Sequence, residues 1–196
     1  MEHLLVTGGA GFIGANFVRQ ASRSYRVTVV DKLTYAGNRA NLPEGIEFVQ
    51  GDVCEQPLID ELVSAADAVV HFAAESQNDN SLRSPEAFVH SNINGTFALL
   101  EAVRKHGTRL HHISTDEVFG PLGMTDPPVT ADAPYRPSSP YSASKASADH
   151  LVRAWVRSFG VAATTSCCTN NYGPRQHVEK FIARQITTIL DGHRPR

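Results

Sequence analysis

Short apolar runs of four to six residues recur along the chain, each followed by a longer stretch with helical spacing, and this alternation constrains the fold more than any other feature. The runs are His3–Thr7, Arg26–Asp31, Ile46–Val49, Ala68–Phe72, Leu110–Ser114 and Ala163–Cys168. They are rich in Val, Ile, Leu and Thr, as strands buried on both faces are. The spacing predicts helices over Phe12–Ser22, Pro57–Ser64, Pro85–His106, Tyr141–Phe159 and Val178–Leu190. Pro85 suits a first helical turn, and Gly107 and Gly160 stand where C-caps belong. Alternation of this kind predicts an α/β fold, a doubly wound parallel sheet. The stretch from Gly120 to Pro140 carries six prolines and no periodicity, which predicts a long loop over the sheet edge.

Length and composition narrow the class further. The 196 residues support one substantial core, and a hydrophobic fraction of 41% excludes disorder and low complexity. Lys plus Arg (18) nearly balances Asp plus Glu (20) without blocks of either sign, which argues against nucleic acid or an anionic membrane as partner. No apolar stretch approaches the ~20 residues of a membrane span. Met1-Glu2-His3 lacks the basic start of a signal peptide, so a cytoplasmic location is expected. Cys54, Cys167 and Cys168 have no ligand-like spacing and read as buried, reduced thiols. The nine histidines are scattered, and His111 and His112 alternate faces on a strand, so no metal site is expected.

Gly9-Ala10-Gly11-Phe12-Ile13-Gly14, with Gly8 before it, follows a strand and opens a helix, and Asp31 ends the second strand 20 residues after Gly11. That context is the dinucleotide fingerprint of the Rossmann fold. The glycines allow a tight turn against a pyrophosphate, and the helix start offers it unpaired N–H groups. Asp31 can accept from ribose hydroxyls and opposes a 2′-phosphate, which favours NAD over NADP. Every other polar cluster also follows a strand: Gly51-Asp52-Val53, Ala73-Ala74-Glu75-Ser76, Thr115-Asp116-Glu117 and Thr169-Asn170-Asn171. Open parallel sheets bind ligands beyond those strand ends. Tyr141 and Lys145 lie four apart on one helix face. A cation near the phenol, with the positive nicotinamide, favours the phenolate that could take a hydroxyl proton as hydride leaves.

The glycine fingerprint with Tyr141 and Lys145 resembles the extended short-chain dehydrogenase/reductase family, and the finer motifs resemble its nucleotide-sugar dehydratases. These are Asp31-Lys32-Leu33-Thr34-Tyr35-Ala36-Gly37-Asn38, Phe72-Ala73-Ala74-Glu75-Ser76, Ser114-Thr115-Asp116-Glu117 and Asn170-Asn171-Tyr172-Gly173-Pro174. The resemblance implies that Tyr141 acts as redox base, Lys145 as its tuner and Thr115 as partner of the sugar C4 oxygen. It makes Glu117 the base at C5 and Asp116 the acid at the C6 hydroxyl. That chemistry needs one carboxyl protonated beside an ionised neighbour. It further implies NAD contacts from Gly8, Gly11, Phe12, Ile13, Gly14, Asp31, Lys32, Leu33, Thr34, Asp52, Val53, Phe72, Ala73, Ala74, Ser76, Ser91, Tyr141, Lys145 and Asn171. Ser76, Thr115, Asn170, Lys180 and Phe181 would face the nucleotide sugar, with Lys180 neutralising a diphosphate.

The chain departs from the family at Gln77-Asn78, where His-Val is usual, and at Phe119, where Tyr is frequent. Family members continue past this length with a smaller substrate domain, so the resemblance implies that this C-terminal domain is absent here and residues 1–196 are the cofactor domain of a longer protein. Two alternatives share the glycines. A nucleotide-sugar 4-epimerase has small hydroxyl residues in place of Asp116 and Glu117, and a silent NAD-binding sensor needs none of the reactive side chains. Phe88, Leu99, Leu100, Val103, Leu151, Val152, Trp155 and Val156 are more apolar surface than one sheet face absorbs, and relatives pair through these helices, so a homodimer is expected.

Overall fold

The computed structural model describes residues 1–195. Six strands form one sheet: β1 (His3–Thr7), β2 (Arg26–Asp31), β3 (Glu47–Gln50), β4 (Ala68–His71), β5 (Arg109–Thr115) and β6 (Ala163–Cys168). They lie in the order β3-β2-β1-β4-β5-β6, every neighbouring pair parallel. The order reverses direction beside β1, and such a reversal opens a crevice at the carboxyl ends of the strands. Successive β1 residues face opposite sides, so Leu5 joins one core and Leu4 and Val6 another.

The helices are α1 (Phe12–Ala21), α2 (Gln56–Ser64), α3 (Asn78–Arg83), α4 (Pro85–Phe88), α5 (Gly95–His106), α6 (Pro140–Phe159) and α7 (Phe181–Leu190). Ile59 and Val63 of α2, Leu99, Leu100 and Val103 of α5 and Val152 of α6 close one face of the sheet. Val18 of α1, with Phe17, closes the other over Val27 and Val29. Each fully buried aliphatic side chain contributes about 1.5–3 kcal/mol. Helix α6 begins with a reciprocal Ser139–Ser142 capping box and ends at Gly160, whose φ of 69° is left-handed.

Several expectations change. Residues 85–106 are helical as expected, but a π-helical turn over Val89–Asn94 separates α4 from α5. The hexapeptide of α3 carries too little apolar periodicity to announce a helix. Helix α7 starts at Phe181, three residues later than expected, because the Lys180 backbone is extended and its side chain is tied elsewhere. Edge strand β6 is not buried on both faces. Consequently Cys167 is exposed and Cys54 and Cys168 are half-buried, against the expectation of three buried thiols.

The apolar excess assigned to the helix pair is also misplaced. Phe88, Leu99, Leu100, Val103 and Val152 face inward and are spent on this chain's own core. Phe97, Val156 and Phe159 are the exposed large side chains of α5 and α6. Residues 120–139 form no helix or strand, as expected. Among the described residues, no helix is long and apolar enough to cross a membrane.

Candidate active site

The carboxyl ends of the strands open into a cleft of about 660 Å³. Of the residues singled out in the sequence as cofactor, substrate or reacting groups, all but Leu33 and Asp116 line it. The long proline-rich loop does not; only Tyr141 and Lys145, in the helix that follows, reach in.

The glycine turn shows why no side chain is tolerated there. Gly8 has φ of +68°, and a Cβ on it would sit 2.5 Å from the Ala73 nitrogen. On Gly14 a Cβ would meet the Gly8 carbonyl oxygen at 2.3 Å. Backbone is thus packed on backbone, leaving the start of α1 open to the cleft. That first turn has no side-chain cap and no acidic residue, so its amides are left for an anion. Asp31 fastens the turn by accepting from Ala10 N at 2.9 Å and from Leu33 N at 2.8 Å. Leu33 itself adopts a left-handed φ of 56° and packs among the apolar side chains beneath.

Further along, Lys32 Nζ donates to Asp52 Oδ2 at 2.6 Å. Burial raises the Asp52 carboxyl, but the Lys32 ammonium and the Cys54 amide outweigh it and hold the group at about 2. Asp52, Cys54 and His90 bring three donor atoms within 4.8 Å of one another, yet the ammonium already occupies the carboxylate, and we assign no metal there. A backbone cradle, a ribose acceptor at Asp31 and a polar rim at Asp52 and Val53 together fit an extended dinucleotide.

The candidate reacting groups converge from β5 and α6. Lys145 is buried and donates from Nζ to the Ile113 carbonyl at 2.7 Å. Burial lowers its pKa and the Asp149 carboxylate opposes that fall. Tyr141 stands edge-on to Phe88 at 6.1 Å. Burial pushes its phenol up to about 12 and the Glu117 charge raises it further, while a hydrogen bond with Thr115 opposes the rise. That is the direction in the protein by itself; the expected phenolate depends also on the positive nicotinamide beside the ring. Thr115 ends β5 and its hydroxyl caps the following 3₁₀ turn, accepting from Glu117 N at 3.3 Å. The same hydroxyl donates to Asp116 Oδ1 at 3.3 Å. Glu117 Oε2 accepts from Asn78 Nδ2 at 2.8 Å. Lys180 Nζ is anchored at the cleft rim by the Ser76 carbonyl at 3.2 Å and Gln77 Oε1 at 3.0 Å.

Three supporting residues escaped the sequence reading. Asn92, in the π turn, exchanges hydrogen bonds with the Glu75 backbone and donates to Ser144 Oγ at 2.8 Å, clamping the loop after β4 to α6. Asp149 accepts from His112 Nε2, Ser114 Oγ and Tyr135 OH at 3.0, 2.6 and 2.9 Å. Asn78 is the third. A polar side chain on the buried face of an apolar helix was the available signal for Asn92 and Asp149.

Strand order, glycine turn and cleft define an α/β dinucleotide-binding domain of the Rossmann type. The family model described as "NAD dependent epimerase/dehydratase family" matches residues 4–196, and the chain belongs to that family. It is 62% identical to a dTDP-glucose 4,6-dehydratase of Mycobacterium tuberculosis (strain ATCC 25618 / H37Rv), over 98% of this chain and 60% of that protein. Among solved structures it is similar to DesIV, a dTDP-glucose 4,6-dehydratase from Streptomyces venezuelae with NAD and TYD bound, at TM-score 0.92 and 44% identity, covering 97% of this chain and 62% of that one. A UDP-glucose 4-epimerase of Thermus thermophilus in complex with NAD is also similar, at TM-score 0.91 and 32% identity, covering 97% of this chain and 63% of that one. The chain thus spans about 60% of the length of the known dehydratases it matches.

Proposed function

We propose that this chain carries the cofactor site and reacting groups of a dTDP-glucose 4,6-dehydratase, a hydro-lyase converting dTDP-glucose to dTDP-4-keto-6-deoxyglucose and water. The observation that carries the reading is the meeting of Thr115, Glu117, Tyr141 and Lys145 with the glycine turn in one cleft. An epimerase needs the phenol and the glycines but has no work for an acid pair.

The glycine turn, Asp31, Asp52 and Lys145 would hold NAD, which would supply a reversible hydride acceptor for C4 and C6 and a positive charge beside the phenol that burial otherwise keeps protonated. Tyr141 takes the C4 hydroxyl proton while Thr115 holds the C4 oxygen. Lys145, pinned by the Ile113 carbonyl, presents its remaining N–H donors toward the cleft. The C4 ketone acidifies the neighbouring C5–H, and Glu117 removes that proton and gives a proton back to C5 once hydride has been added at C6. Asp116 delivers a proton to the departing C6 hydroxyl, so that water leaves. Since Asp116 is bonded to Thr115 and does not line the cleft, its side chain turns inward for that step. Lys180, fixed at the rim, meets the diphosphate, with Ser76, Asn170 and Phe181 beside it.

The full-length protein is incubated with NAD and dTDP-glucose and the product weighed by mass spectrometry. Loss of one water without net cofactor reduction is the expected result; unchanged mass with inverted C4 would make it an epimerase. Glu117→Gln is expected to retain C4 oxidation and to lose dehydration. A cytoplasmic homodimer formed through α5 and α6 completes the proposal, resting on exposed Phe97, Val156 and Phe159.

A further inference from the structure

Between Ser76 and α3 the chain carries Gln77-Asn78, and neither side chain has a part in the chemistry above. Both nevertheless hold groups that do. Gln77 accepts from Lys180, while Asn78 Nδ2 donates to Glu117 Oε2 at 2.8 Å. The orientation of the Asn78 amide follows from chemistry. An ionised carboxylate only accepts, so the nitrogen must face Glu117. That leaves Oδ1 as acceptor, and Ser139 Oγ donates to it at 2.9 Å. The Ser139 oxygen in turn accepts from Ser142 N at 3.1 Å and caps α6. Each group in this chain is used in the direction its chemistry allows, with no conflict. The Asn78 backbone is held as well, because its carbonyl accepts from Ser81 Oγ at 2.7 Å.

Asn78 therefore ties the Glu117 carboxylate to the start of the helix that presents Tyr141 and Lys145. The two bases of the proposed reaction attack protons on and beside adjacent ring carbons, C4 and C5, so their separation must match one bond of the sugar. A free glutamate side chain has three rotatable torsions and would hold that separation poorly.

We propose that Asn78 is a positioning residue for the elimination step: by bridging Glu117 to Ser139, it fixes the C5 base relative to the C4 base. This rests on the dehydratase reading. Asn78 is exposed, so its replacement leaves the core untouched.

The test compares Asn78→Asp, which keeps the shape but sets a like charge against Glu117, with Asn78→His, whose ring N–H can still donate. In the full-length protein with NAD and dTDP-glucose, Asn78→Asp is expected to lower kcat by roughly 10- to 100-fold, the scale of a misplaced catalytic group, with KM unchanged. Deuterium wash-in from solvent at C5 slows with it, while C4 oxidation in a single turnover persists. Asn78→His recovers most of the rate. Native kcat and C5 exchange in Asn78→Asp overturn the proposal, as does a loss confined to KM or accompanied by an equal loss of C4 oxidation. A second measurement separates this from the functional reading. The side-chain amide resonance of 15N-labelled Asn78 should shift strongly in Glu117→Ala. If the protein forms no dehydrated product, the dehydratase reading falls; if that resonance does not move, the bridge itself is absent and the positioning role falls, whatever the product.

Discussion

Two buried histidines make stability depend on pH in a direction the structure dictates. His71 and His112 are 1% and 0% exposed, and their rings lie 5.4 Å apart, tilted by 36°. His71 is bound by Thr7 Oγ1 at 2.7 Å and Thr96 Oγ1 at 3.1 Å, and burial holds it well below its ordinary range. His112 donates to Asp149, which obliges its Nδ1 to be the acceptor of a neutral ring, and that atom has no partner. Burial and the Lys145 ammonium lower His112, and the Asp149 bond only partly offsets them. His71 is thus neutral when folded and the charged form of His112 is disfavoured, whereas both rings are free to protonate near pH ~6.5 when unfolded. The unfolded chain then binds more protons, so stability is complete above that pH and declines as pH falls. From pH 7 to 5, a ring that stays neutral when folded accounts for about 2 kcal/mol, so the pair costs up to about 4 kcal/mol. The two are close enough to couple, so the sum is an upper value. Urea unfolding at pH 7, 6 and 5 measures it, with His71→Gln as the control: glutamine can bond both threonines yet does not titrate. The variant should lose about 2 kcal/mol of the pH dependence whatever its stability at pH 7. A flat profile in the native protein, or an undiminished one in His71→Gln, would refute the account of these rings.

The other expectations are briefer. In Gly14→Ala the new methyl meets the Gly8 carbonyl at 2.3 Å, so the turn must move. A loss of about 1–3 kcal/mol in stability is expected from such overpacking. NAD affinity by calorimetric titration should fall at least about tenfold, or ~1.4 kcal/mol; an alanine variant that binds NAD as tightly as the native protein contradicts the cradle. For the dimer, Phe97→Arg with Phe159→Arg should yield monomers by light scattering, and a native protein already monomeric rules that interface out.

The cofactor half of the site was the more legible in sequence because its signals are local. A glycine that must take φ of +68° and another that must clear a carbonyl are constraints within one turn, and Asp31 follows at a set distance along the chain. Tyr141 and Lys145 were readable for the same reason, sharing one face of one helix. The supporting residues were not. Asn78 meets Glu117 across 39 positions, Asn92 meets Ser144 across 52, and Asp149 meets His112 across 37. No spacing along the chain announces those pairings.

Periodicity and turn chemistry by themselves determined the alternating elements, the parallel sheet and the glycine turn at the start of α1, while the resemblance to a family named the candidate reacting side chains. Only the folded arrangement decided the state of those side chains. It buried the Tyr141 phenol, which by itself raises its pKa, kept the Asp116 carboxyl out of the cleft, exposed Cys167 and turned Leu99, Leu100 and Val103 inward. Such properties depend on desolvation and on partners distant along the chain, and both exist only once separate elements have packed together.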